Sequence, residues 1–192
     1  MTTPAPAARP VPVRTVTDRF LNRLQSRQEQ GFDRGVRARL TRSTPPSDPG
    51  LWVALELTGL HPATGPGPDE ETYARAATAV CAAAQLWART QVPHVRSTEQ
   101  RDTRPGTAAA RTALTRPTAE ADLARALRAA TLDALLPWTR RLFRGADALD
   151  YGLLADDLHT WQTPGGPDRV HRAWAADYTR AKARAQRRTT TA

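Results

Sequence analysis

The chain has 192 residues, with 28 Lys or Arg against 19 Asp or Glu, so its net charge is +9. A single cysteine excludes a disulfide framework, and no apolar run approaches the roughly 20 residues that a membrane span needs. The first residues also lack the apolar stretch of a secretory signal. We therefore expect a soluble, cytoplasmic protein that buries one domain or two small lobes.

The N-terminal half is predicted to be helical after a disordered lead. Residues 1–15 are rich in Pro and Ala and have little to bury. An amphipathic helix follows the lead, then a short helix that Asp33 caps and another that begins at Asp48. The longest helix is predicted from about Glu70 to Thr90. These helices form a predicted N-terminal lobe over residues 16–92.

The second half continues the helical pattern after a polar loop. Three shorter helices are predicted, at about 107–114, 119–129 and 131–143. Pro137 is expected to kink the third of them or delay its start, and Gly145 to end it. We predict a C-terminal lobe over residues 93–181 and a basic, disordered tail over 182–192.

Two amphipathic helices surround a Pro-Gly-Gly-Pro turn between Leu149 and Arg180. Apolar residues recur at helical spacing on both sides of the turn: Leu154, Leu158, Trp161, Val170, Trp174 and Tyr178. The pattern predicts a helical hairpin with Trp161 and Trp174 in its core. With the elements before it, the chain is predicted to be all-α, with eight or nine helices in two small bundles.

Positive charge is concentrated in three segments. Residues 1–44 carry nine Arg and three acids, 89–144 carry eleven Arg and five acids, and 179–192 carry five bases and no acid. The segments between them are acidic. This alternation predicts one basic surface assembled from separate segments, which is the electrostatic footprint of nucleic acid. On charge alone, an acidic protein partner stays open as the second interpretation.

No group of residues predicts catalysis, a cofactor or a metal site. Asp156, Asp157 and His159 are metal-ligand types, but adjacent carboxylates on a helix point roughly 100° apart. His159 and His171 have no cysteine nearby. No serine lies at a strand-to-helix nucleophile elbow, and no Gly-rich phosphate loop is present. The five tryptophans fit core packing better than base stacking, because they recur at helical spacing.

The segment from Leu149 to Arg180 resembles the C-terminal end of the CasB family, the small subunit of the type I-E CRISPR surveillance complex, Cascade. The residues that carry the resemblance are Leu149, Asp150, Tyr151, Leu154, Ala155, Leu158, Trp161, Trp174 and Tyr178. Further upstream, the string 38–42 stands where the family tends to have a Leu-Arg-Arg-like string. His94, Arg96 and the string 109–111 stand where it tends to have a His, a loop and a helix start with a following Arg.

The resemblance implies a non-catalytic, all-helical subunit made of two small bundles. Its partners would be guide RNA and target DNA, the repeated backbone subunits and the large subunit of Cascade, and a second copy of itself. It would help to hold the target strand and the displaced strand of the R-loop. Seven arginines are candidates for nucleic-acid contacts, Arg42 and Arg111 first: Arg37, Arg39, Arg42, Arg96, Arg101, Arg104 and Arg111.

Two other functions stay open at this point. An independent helical DNA-binding regulator would place a reader helix after a tight turn, and the basic segment 33–42 is the only short candidate. A scaffold that binds only proteins would use the acidic and apolar faces instead. Removal of the basic surface would then leave target binding unchanged.

Overall fold

The computed structural model describes residues 13–28, 34–42, 70–98 and 101–190. Eight helices occupy this part of the chain: α1 Val13–Gln28, α2 Arg34–Arg42, α3 Glu70–Thr90, α4 Pro105–Thr115, α5 Thr118–Ala126, α6 Leu132–Phe143, α7 Tyr151–Trp161 and α8 Gly166–Thr190. The described residues form no β-sheet, which confirms the predicted all-α class. The helix predicted from Asp48 lies outside the described residues.

Local sequence explains where several helices begin and end. The Thr131 hydroxyl accepts a hydrogen bond from the Ala134 N–H at 3.3 Å, and the Asp150 carboxylate accepts one from the Leu153 N–H at 2.9 Å. These side chains satisfy backbone donors that have no partner inside α6 and α7. Gly145 has a φ of +85° just after α6, a conformation that glycine adopts without strain. Pro137 lies inside α6 and does not delay its start.

Helix α7 lies at the centre of the packing. It contacts α1 and α3 on one side and α8 on the other, while α8 packs along α4 and α5 packs against α6. The largest fully buried side chains include Trp174, Tyr151 and Phe143, and the buried apolar residues form one continuous cluster. A helix from the predicted C-terminal lobe therefore completes the packing of the N-terminal helices α1 and α3.

Two glycines allow helices to approach closely. A Cβ atom at Gly106 would overlap the backbone carbonyl oxygen of Trp174, and one at Gly152 would overlap the carboxylate of Asp18. Any side chain at these positions would push α4 away from α8, or α7 away from α1. Gly152 thereby brings the start of α7 against the charged side chains of α1.

Both tryptophans of the C-terminal hairpin are buried, as predicted. The Trp161 ring stacks edge-on against His171, with 4.7 Å between the ring centroids, whereas Trp174 packs against Phe143 at 6.1 Å. The Trp174 indole N–H donates to the Asp157 carboxylate at 2.6 Å. The two rings thus occupy separate sites in the core, each with its own aromatic partner.

Helix α8 extends beyond the boundary expected from the sequence. It reaches Thr190, into the segment predicted as a disordered tail, and with 25 residues it is longer than α3 with 21. Residues 181–188 are Ala, Lys, Arg and Gln, which favour helix intrinsically even where little is buried. No helix in the described part of the chain is long and apolar enough to cross a membrane.

Candidate nucleic-acid interface

The first group of predicted arginines lies on α2. The Arg37 guanidinium lies 5.2 Å from the centre of the Trp87 ring, and its Nε donates to the Ala88 carbonyl oxygen at 3.4 Å. Among the described residues, the exposed Arg42 donates only to the Ala38 carbonyl oxygen of its own helix, at 3.1 Å. Arg39 is on the same helix, but its side chain lies outside what the structure describes. Of the two described side chains, Arg42 is the freer to bind a phosphate.

A hydrogen bond joins α2 to the end of α3. The Arg89 guanidinium donates to the Thr41 carbonyl oxygen at 3.0 Å. This contact fixes the C-terminal turn of α2, which carries Arg42, beside the C-terminal turn of α3. Sequence reasoning did not select Arg89, because it stands at the end of an apolar helix and outside the strings that resemble CasB.

Arg96 is tied to a buried carboxylate. Its Nε donates to Asp18 of α1 at 2.6 Å, and 1% of the Asp18 side chain is exposed. Burial alone would raise the pKa of Asp18, but the hydrogen bonds and charges of His94 and Arg96 outweigh it and lower that pKa. Arg96 therefore neutralises an internal charge, although 57% of its own side chain stays exposed.

A second buried carboxylate completes this cluster. Asp150 accepts hydrogen bonds from Arg14 at 3.0 Å, from the Ser97 N–H at 2.8 Å and from the Leu153 N–H. Nδ1 of His94 accepts from the Tyr151 N–H at 3.3 Å, which leaves the proton of a neutral ring on Nε2. That nitrogen lies 3.2 Å from Oδ1 of Asp18. The cluster ties α1, the loop before α4 and the start of α7 together.

Asp18, His94 and Asp150 are also a potential metal-ligand set. One ligand atom from each lies within 4.8 Å of the others, and all three residues are buried. However, two guanidinium groups, from Arg14 and Arg96, already supply the positive charge that these carboxylates need. These donors, with the Ser97 and Leu153 N–H groups, account for the cluster as an internal ionic network. Sequence reasoning did not find this network, because its members are far apart along the chain.

The second group of predicted arginines lies around the start of α4. Arg104 binds Asp102 through two hydrogen bonds, at 2.9 and 2.7 Å, and lies 3.1 Å from Asp177 of α8. Hydrogen bonds from Arg104 lower the pKa of Asp102 to about 2. Arg104 therefore joins α4 to α8 through two carboxylates. By contrast, the side chain of Arg101 is exposed and makes no hydrogen bond or ion pair with the described residues.

Arg111 lies at a groove between α4 and α8. Its Nη1 is 3.5 Å from the exposed Asp147 carboxylate, a weak ion pair at the surface. The groove has a volume of about 430 Å³, and Arg184 and Arg188 of α8 line its other side. Asp102 is its acidic member. Arg184 and Arg188 lie in the segment that was predicted to be a disordered tail. The extension of α8 through this segment brings them next to Arg111.

The seven predicted arginines thus differ in what they can bind. Arg96 and Arg104 bind carboxylates inside the fold, whereas the side chains of Arg42 and Arg101 are exposed. Arg111 is intermediate, with 37% of its side chain exposed and a 3.5 Å ion pair to a surface carboxylate. Among the described residues, no hydrogen bond or ion pair joins the α2 group to the group around α4. Their convergence on one surface stays a prediction.

Comparison with known proteins adds an independent line of argument. Residues 36–178 match the model of the family described as CRISPR-associated protein Cse2. The crystal structure of CasB from Thermobifida fusca is similar to the chain, with a TM-score of 0.64 and 26% sequence identity. The similarity covers 86% of this chain and 97% of that one. No curated protein matches the chain.

Proposed function

Since the chain belongs to the CRISPR-associated Cse2 family, to which CasB also belongs, we propose that it is a non-catalytic, nucleic-acid-binding subunit of a type I-E CRISPR surveillance complex. In that complex it would hold the target and displaced strands of an R-loop. Guide RNA, target DNA and the other Cascade subunits would be its partners, together with a second copy of itself.

The observation that carries the proposal is a set of arginines that bind no buried carboxylate among the described residues, although Arg111 and Arg184 lie 3.5 and 3.9 Å from Asp147 and Asp102. Arg42 on α2 and Arg111 on α4 both keep guanidinium donors toward solvent, and α8 adds Arg184 and Arg188 beside Arg111. A guanidinium group grips phosphate oxygens with two parallel donors. Such a surface suits a partner with a regular row of negative charges.

Guide-directed recognition requires only that such a subunit bind phosphates. Base pairing between guide and target reads the sequence, so that a protein subunit needs only to hold backbones and the displaced strand. Contacts to phosphates supply affinity without sequence preference and release counterions. The proposal needs no reader helix in a groove, which distinguishes it from an independent DNA-binding regulator.

The experiment that tests the proposal is a double variant, Arg42→Ala with Arg111→Ala, assembled with the partner subunits. Each lost phosphate contact is expected to lower the salt slope of log affinity by roughly 0.7 on a single strand, so the pair should lower it by about 1.4. Target binding measured across a salt series gives this slope. The matched control removes two exposed arginines outside both groups, Arg19→Ala with Arg172→Ala.

Three outcomes separate the alternatives. A lower slope for the Arg42/Arg111 variant and not for the control supports the proposal. An unchanged affinity and slope with intact assembly would refute the role of these arginines. Loss of assembly with unchanged binding to naked target would instead favour a scaffold that contacts only proteins.

A further inference from the structure

A second basic cleft lies between α3 and α6, away from the groove between α4 and α8. Its volume is about 500 Å³. Four arginines line it, one at the end of α3 and three along and just after α6: Arg89, Arg140, Arg141 and Arg144. The remaining wall is largely apolar and includes Leu86, Leu136 and Trp138. The cleft thus combines a row of guanidinium groups with a hydrophobic side.

The charge of this cleft is not offset within the described fold. The side chains of Arg140 and Arg144 are exposed and form no ion pair or hydrogen bond with the described residues. Asp133, in the first turn of α6, is the acidic residue among those that line the cleft. Unlike Arg96 and Arg104, Arg140 and Arg144 neutralise no buried carboxylate among the described residues. The positive field of such a cleft attracts an anionic ligand.

Trp138 organises the wall beside these charges. Its half-buried ring lies 5.3 Å from the Arg141 guanidinium and 5.0 Å from that of Arg125. Contacts between a guanidinium and an aromatic ring orient the planar donor group and reduce the freedom it would lose on binding. The indole also lines the cleft and offers it an aromatic surface.

The cleft is continuous with the α2 surface through one residue. Arg89 lines the cleft and also donates to the carbonyl oxygen of Thr41, next to Arg42. A ligand that leaves the cleft on this side therefore meets the exposed end of α2. The arrangement fits an extended chain of phosphates better than a small isolated anion.

We propose that the α3–α6 cleft binds a short stretch of single-stranded nucleic acid, with phosphates on Arg140 and Arg144 and a base against the wall that contains Trp138. Binding sites for single strands combine a positive groove with aromatic surfaces on which bases stack. A duplex keeps its bases inside and would leave the apolar wall unused. The inference rests on the proposed function, since the strand would be one of the two that the R-loop exposes.

The test uses the full-length purified chain and three labelled probes: a single-stranded oligothymidylate, a duplex of the same length and polyglutamate. The double variant Arg140→Ala with Arg144→Ala should bind the single strand on the order of tenfold more weakly, with a salt slope lower by about 1.4. Arg19→Ala with Arg172→Ala is the charge-matched control and should bind at least several-fold more tightly than the cleft variant. The four arginine side chains are exposed, so neither double variant is expected to disturb the fold.

Two further variants examine the details of the cleft. Trp138→Leu should weaken single-strand binding without changing the salt slope, because it removes a stacking surface and no charge. Asp133→Asn should tighten binding, because it removes a negative charge from the cleft. An unchanged affinity for Trp138→Leu would overturn the contact with a base.

The remaining outcomes distinguish this inference from the proposed function. If the Arg140/Arg144 variant binds like the wild type while the Arg42/Arg111 variant binds more weakly, the cleft assignment is wrong and the proposed function stands. If both variants bind every nucleic-acid probe like the wild type, both are wrong. Tighter binding to polyglutamate than to oligothymidylate, lost in the Arg140/Arg144 variant, would assign the cleft to an acidic protein and overturn the inference.

Discussion

The loop before α4 and the exposed surfaces of α2 and α6 are similarly rich in arginine, yet their arginines do different things. In the loop, Arg96 and Arg104 bind the carboxylates of Asp18 and Asp102 at 2.6–2.9 Å. On α6, Arg140 forms no such pair with the described residues. Arg96 and Arg104 use their positive charge to hold helices together, whereas Arg140 presents its charge to solvent.

This difference matters because a count of arginines overstates the charge that a partner meets. A guanidinium paired with a buried carboxylate contributes little to the field outside the protein, and moving it toward a phosphate would leave that carboxylate unpaired. An exposed guanidinium has no such cost. Salt-dependent binding should therefore depend on the arginines of α2, α4 and α6, and stability on Arg96, Arg104 and the carboxylates that they bind.

The largest effect is expected at Asp150. Its carboxylate binds Arg14, accepts from Ser97 and caps α7, and its side chain is fully buried. Asp150→Ala leaves a charge and two backbone donors without their partner, and should lower the free energy of unfolding by about 3–5 kcal/mol. Denaturation by urea measures the loss.

The matched variant is Asp150→Asn, which keeps an oxygen that can cap α7 but removes the charge. Its free energy of unfolding should lie between those of the wild type and Asp150→Ala. The exposed Asp133→Ala should change stability by less than about 0.5 kcal/mol. Equal stability of Asp150→Ala and the wild type would contradict an internal role for this network.

A pH profile separates carboxylates that have an arginine partner from one that does not. Burial raises the pKa of Asp157 to about 7, because its hydrogen bond from Trp174 brings no positive charge. Between about pH 4 and pH 7 the unfolded chain has lost this proton while the folded protein keeps it, so stability falls as pH rises. Asp157→Asn retains an acceptor for Trp174 and should remove this part of the decline.

The contribution of Asp102 to stability should change with pH in the opposite direction. Its pKa is lowered to about 2 by Arg104, so its contribution to stability is complete above about pH 4 and is lost as pH falls toward 2. Urea denaturation at several pH values, for the wild type and for each Asp→Asn variant, checks both signs. Parallel profiles for the wild type and Asp157→Asn would contradict the raised pKa.

The sequence predicts those features that depend on neighbours along the chain. The bounds of α3 follow from an uninterrupted apolar stripe, and the start of α6 follows from a threonine that caps it. The burial of Trp161 and Trp174 follows from helical spacing. Each of these signals lies within a few turns of the residue it concerns.

The pairing of the arginines could not be predicted in the same way. Asp18 and Arg96 are 78 residues apart in sequence, and Arg14 and Asp150 are 136 apart. Their contacts depend on how α7 packs against α1, a tertiary arrangement that helical periodicity does not encode. Arg96 and Arg104 were therefore grouped with Arg42 as candidates for nucleic-acid contacts, because Arg42 and Arg96 stand in strings that resemble CasB and Arg104 lies in the loop between such strings.

The smallest effects are expected for single substitutions of Arg96 and Arg42, which compare a paired arginine with an exposed one. The first should change mainly stability, and the second mainly the salt slope of target binding. Arg96→Ala leaves the buried Asp18 with a weaker set of donors and should cost about 1–2 kcal/mol of stability, reduced by the exposure of Arg96. The salt slope of target binding should barely change. Arg42→Ala should cost less than about 0.5 kcal/mol and lower the slope by roughly 0.7. If Arg96→Ala lowered the slope and left stability intact, its guanidinium would serve the ligand rather than Asp18, and the division between the two regions would be wrong.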